Sequence, residues 1–241
     1  MEVYHPHSHP GAKKKWTEHL FEFLLLFLAV FAGFVSENIR ESIVEKHRTK
    51  QYINFLIRDL KSDTAQINSL CLGNQDLIKT FDTLVSKMMG YGKNKDVKSL
   101  LYYVTWSHQF FTFQHTSRAI DQLENSGQLR LIDDISLTDS ISAYYENAKG
   151  AEDYGRLYMD YSKMWHQLEY KIFDYSQIGT TQNVHNFDLQ RKYTLLDDDP
   201  KLLIEFVNQV IHGQNMLHTL ISYLQYIKSL ATSTLKYLQR Q

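Results

Sequence analysis

The chain has 241 residues, with 26 Lys+Arg against 27 Asp+Glu and 43% hydrophobic residues. That length suits one domain, or a domain plus an anchor, and the composition excludes intrinsic disorder and collagen-like repeats. The lone Cys71 excludes a disulfide framework or a Cys-rich metal site, and the near-zero net charge argues against nucleic acid as a partner.

Residues 1–15 form a His/Lys-rich tail. His5, His7 and His9 alternate, and alternate residues of an extended chain face one way. They are therefore candidate ligands for Zn²⁺ or another divalent transition metal, set against the simpler reading of a solvated tail.

Residues 16–38 read as a transmembrane helix. Ten of the 16 residues from Leu20 to Val35 are Leu or Phe, and only Glu22 is ionisable. At about 1.5 Å per residue the run falls slightly short of the ~30 Å hydrocarbon core, a mismatch that snorkelling or local thinning absorbs. Trp16 suits the headgroup level. No clean A-x-A site follows, which disfavours a cleaved signal peptide. The lack of a polar face disfavours an in-plane helix, and favours lipid over the remaining alternative, a buried core helix of a soluble protein.

Two small-xxx-small pairs, Ala29 with Gly33 and Ala32 with Ser36, suggest self-association in the membrane, set against ordinary Ala and Gly usage. Glu22 offers three roles, a partner for His19, a neutral anchor, or one member of a carboxyl ring around an axis, set against the simpler reading that, two residues into the span, it reaches the interface. Lys13, Lys14 and Lys15 favour a cytoplasmic amino terminus, with the bulk of the chain in the periplasm. Arg40, Lys46, Arg48 and Lys50 on the far flank weigh less, because long domains translocate largely regardless of charge.

Residues 39–241 read as an extramembrane helical bundle. No proline occurs between Pro10 and Pro200, which permits long helices. Helical spacing continues through Ile39, Ile43, Ile53, Leu56, Ile57, Leu60, Ile67 and Leu70, as a stalk that Gly73 is expected to stop. Further helices are expected over 75–89, 97–114 and 116–124. Two more follow, one capped by Ser136 and ending at Gly150, the other over 152–178. A last helix, capped by Asp198 or Asp199 with Pro200 in its first turn, carries the clearest pattern. Leu203, Phe206, Val210, Gly213, Leu217, Leu220, Leu224, Ile227, Ala231, Thr234 and Leu238 recur in steps of three and four. That spacing suits coiled-coil-like packing, antiparallel to the stalk or around a symmetry axis.

The fold class is therefore all-α: a transmembrane helix continuing into a stalk, packed with a C-terminal helix. No P-loop, G-x-G-x-x-G, G-x-S-x-G or H-E-x-x-H occurs. The Glu-x-x-His repeats of a di-metal bundle are missing. His108 and His115 are expected on one helix face, with nothing acidic to complete a ligand set. No enzyme activity is expected.

Glu18-His-Leu-Phe-Glu-Phe-Leu-Leu-Leu-Phe-Leu-Ala-Val-Phe-Ala-Gly-Phe-Val-Ser-Glu-Asn-Ile-Arg-Glu41 resembles the anchor of small Bacteroidota membrane proteins of unknown function. Lys46 to Ile53, Asp59 to Asp63, Leu123 to Ile132 and Ile141 to Tyr145 fit the same pattern. The resemblance implies an inner-membrane protein with a helical extramembrane domain, and carries no activity or catalytic residues. The expectation is a membrane-anchored homo-oligomeric structural or interaction protein of the cell envelope, with lipid, further copies and an envelope protein as partners. The alternatives are an ion or proton channel with Glu22 facing its axis, and a metal-binding envelope protein using the tail histidines.

Overall fold

The computed structural model describes residues 16–132, 134–178 and 191–239. The protein is all-α. Five helices carry the described residues: α1 (Trp16–Asn94), α2 (Val97–Trp106), α3 (Arg118–Asn125), α4 (Ile135–Ile172) and α5 (Pro200–Leu238). Short 3-10 turns occur at Gln128–Leu131 and Tyr175–Gln177. There is no strand among the described residues, only an isolated bridge between Phe173 and Leu195. The chain divides into two compact units, Met1–Lys50 and Gln51–Gln241.

In the first unit, every side chain from Leu20 to Val35 is exposed. The rings of Phe23, Phe27 and Phe31 stack along one face at 6.5 and 6.1 Å, as the i, i+4 spacing requires.

The second unit is a bundle with two apolar cores. Leu56, Leu60 and Ile67 of α1 share one core with Leu137, Ile141 and Tyr144 of α4 and with Leu224, Ile227 and Ala231 of α5. Leu77, Phe81 and Leu84 of α1 share the other with Tyr158, Trp165 and Ile172 of α4 and with Leu203, Phe206 and Val210 of α5. Within this unit α5 therefore runs antiparallel to both α1 and α4. All eleven residues of the three-and-four stripe on α5 are buried. Asp199 caps that helix, its Oδ1 accepting the Lys201 N–H at 2.9 Å with Pro200 next to it.

Several expected breaks are absent. Gly73 does not stop α1, which passes through Gly90 and Gly92 as well. A helix-interior glycine costs about 1 kcal/mol, whereas each buried neighbour such as Leu77, Phe81 or Leu84 contributes roughly 1.5–3 kcal/mol, so packing wins. The stop comes at Lys95, whose φ is 47°, followed by Asp96 accepting the Ser99 N–H at 3.2 Å. Gly150 does not end a helix either. A Cβ there would lie 2.3 Å from Tyr223 Oη, so the glycine serves close approach of α4 and α5. Asp134, not Ser136, caps α4 by accepting the Leu137 N–H at 3.2 Å. Finally, α2 ends at Trp106 rather than near 114, releasing a non-helical strap over 107–117.

Candidate functional site

Two features stand apart from ordinary bundle packing: the bare apolar segment of α1, and a set of carboxylates that hold the strap.

On the apolar segment, His19 Nδ1 lies 3.8 Å from Glu22 Oε2, one turn apart on the same helix, with both side chains more than half exposed. Ala29, Ala32, Gly33 and Ser36 are exposed, and a Cβ on Gly33 would meet nothing within 4 Å. His5, His7 and His9 lie outside the described residues.

The strap is not helical, so its backbone donors need partners other than the i−4 carbonyl. Carboxylates from α1 and α4 supply them. Asp63 accepts the Thr116 N–H at 3.0 Å, the Thr116 hydroxyl at 2.7 Å and the Tyr144 hydroxyl at 2.6 Å. Burial pushes the Asp63 carboxyl above its usual range even though these hydrogen bonds pull the other way. Burial first, then the Asp63 charge, raise the Tyr144 phenol far above ten. Asp59 accepts the Ala119 N–H at 3.2 Å. It thereby caps α3 from a distant helix, where Ser117 makes no side-chain cap bond. Glu152 Oε1 accepts both the His115 N–H and Nδ1–H at 2.6 Å.

At the other end of the strap, His108 Nε2 stands 2.9 Å from both oxygens of Glu169, with a hydrogen bond to Oε2. The Glu169 side chain is fully buried and the His108 side chain about one-third exposed (0% and 34%). His166, one turn before Glu169 on α4, sets its ring 4.6 Å from that of His108 and 4.2 Å from that of Trp165. One donor atom from each of His108, His166 and Glu169 lies within 4.8 Å of the other two. Burial, then the neighbouring His108, hold His166 down to about 4, so it is a neutral base at ordinary pH. Burial raises the Glu169 carboxyl, opposed by the hydrogen bond and charge of His108.

These contacts correct the sequence reading of the histidines. His108 and His115 do not share a helix, and each has an acidic partner on α4. Sequence separations of 61 and 37 residues concealed both pairs. A signal existed only for the second half of the cluster: His166-x-x-Glu169 places both side chains on one helix face.

Compared with protein-family models, curated proteins and solved structures, the chain matches none.

Proposed function

We propose that the chain is a membrane-anchored, homo-oligomeric structural or interaction protein of the cell envelope. One observation carries the anchor: α1 holds a stretch long and apolar enough to cross a membrane, and none of its 18-residue window is buried. The core helix of a soluble protein would pass the same length test with its apolar side chains covered. Here Leu25, Phe27, Phe31 and Phe34 are all more than half exposed. Water is a poor solvent for such a surface and hydrocarbon a good one.

In this reading the amino terminus faces the cytoplasm and the Gln51–Gln241 bundle faces the periplasm from the inner membrane. Lipid surrounds the anchor, further copies pair along its small residues, and an envelope protein binds the bundle. His19 gives Glu22 a partner within its own helix, so the carboxyl does not require an axial ring, and the channel reading gains no support from this pair.

The test is membrane extraction of the full chain. The protein should pellet with membranes, resist an alkaline carbonate wash and dissolve only in detergent. Release by the alkaline wash would remove the anchor and the proposal with it.

A further inference from the structure

We infer that His108, His166 and Glu169 form a binding site for one divalent transition-metal ion of the Zn²⁺ class. This goes beyond the anchor reading and does not rest on it, since all three residues belong to the Gln51–Gln241 unit.

The donor set comes first. Two imidazoles and one carboxylate suit Zn²⁺ and its neighbours, whereas Mg²⁺ and Ca²⁺ prefer oxygen ligands. Geometry comes second. Tetrahedral zinc with bonds of 2.0–2.1 Å needs its ligand atoms ~3.3 Å apart. The His108–Glu169 pair is already slightly closer than that, at 2.9 Å, and the widest separation in the trio is at most 4.8 Å. A side-chain adjustment of about an ångström or less per ligand closes the set around an ion, with no change of fold.

The third observation is what the cluster leaves undone. His166 Nε2 and Glu169 Oε1 are both buried and have no hydrogen-bond partner. An unsatisfied buried polar atom costs about 1–3 kcal/mol, more for a charged one. The two atoms belong to residues one turn apart on α4, both of which place a ligand atom in the cluster. A cation satisfies both at once. A structural tie between strap and α4 needs only the His108–Glu169 pair, in which His108 Nε2 stands 2.9 Å from both carboxylate oxygens, and it does not account for the unpaired His166 Nε2.

The surroundings fit as well. His108 sits on the strap and is partly exposed, which leaves a side open for the ion to enter and for water as a fourth ligand. His166 and Glu169 stand on the long helix α4 with the Trp165 ring 4.2 Å from that of His166, and His108 comes from the non-helical strap.

The experiment uses the full chain in detergent, purified through a tag without histidine and stripped with a chelator. His5, His7 and His9 are replaced by alanine in every sample, so the tail cannot supply the ligands. Zn²⁺ is titrated against a chromogenic chelator, and Co²⁺ reports coordination by its visible absorption. Expected are one ion per chain, a tetrahedral Co²⁺ spectrum, and a loss of affinity of more than about tenfold in both His166→Ala and Glu169→Gln. If either variant fails to fold, the parent decides alone: its Tm rises with added Zn²⁺ when the site is real. No saturable binding by the parent, or binding unchanged in both variants, would overturn the inference. A Glu169→Gln variant that merely melts earlier, with no zinc effect on the parent, would identify the cluster as a structural tie and overturn it equally.

Discussion

Asp63 is the residue whose removal should cost the bundle most for its size. It gathers the Tyr144 hydroxyl, the Thr116 hydroxyl and the Thr116 N–H onto one carboxylate, joining α1, α4 and the strap. Asp63→Ala strands these donors in a buried setting and should cost roughly 3 kcal/mol, while Tyr144→Phe removes one donor and should cost about 1 kcal/mol. Urea unfolding of both variants gives the order directly; equal costs would show that the carboxylate is not the hub. Its titration adds a second reading. Because burial raises the Asp63 carboxyl, the folded state holds a proton at pH values where the unfolded chain has released it. In that window stability falls as pH rises. Asp63→Asn has no such proton, so the wild type should gain on the variant as pH falls from neutral toward the ordinary carboxylate range. A difference that shrinks on acidification would mean that the hydrogen bonds outweigh burial and lower the carboxyl instead.

At the scale of elements, the two glycines that face neighbouring helices behave differently. A Cβ at Gly213 would rest 3.8–3.9 Å from Trp165, Tyr161 and Tyr158, an ordinary contact distance. Gly213→Ala should therefore gain about 0.5–1 kcal/mol from helix propensity and added packing. Gly150→Ala gains the same propensity but forces the Tyr223 ring aside, so it should raise Tm by less, and thermal unfolding of the two variants compares them. A Gly213→Ala variant that melts lower than Gly150→Ala would contradict the packing of α4 on α5.

The same contrast explains what the sequence made legible. The stripe of α5 was readable because periodic burial is a property of one helix, and all eleven of its positions are buried. The breaks at Gly73 and Gly150 were misread because a glycine's local cost is smaller than the burial on either side of it. Asp134 was passed over as a cap for Ser136, two residues on, within the usual uncertainty of helix ends. The carboxylate partners of the strap were invisible for another reason. Contacts such as Asp63 with Thr116, 53 residues apart, exist only once α1, α4 and the strap have come together.

For the whole molecule, the decisive asymmetry is that the Gln51–Gln241 unit contains two buried apolar cores, whereas every side chain from Leu20 to Val35 is exposed. Twelve large hydrophobics in that segment are between 39% and 69% exposed. Burying a single such side chain is worth about 1.5–3 kcal/mol, so covering even half of this surface amounts to roughly 10 kcal/mol. Lipid can supply all of it, but not the close backbone approach that Ala29, Ala32, Gly33 and Ser36 permit. If these residues pair copies, the detergent-solubilised particle should have a mass, corrected for detergent, at a discrete multiple of 28.4 kDa. Gly33→Leu puts a branched side chain where helices would touch and should shift that mass toward one copy. Phe34→Leu, on a neighbouring face, should leave it unchanged. A wild-type particle already at 28.4 kDa would remove both the oligomer and any axial role for Glu22.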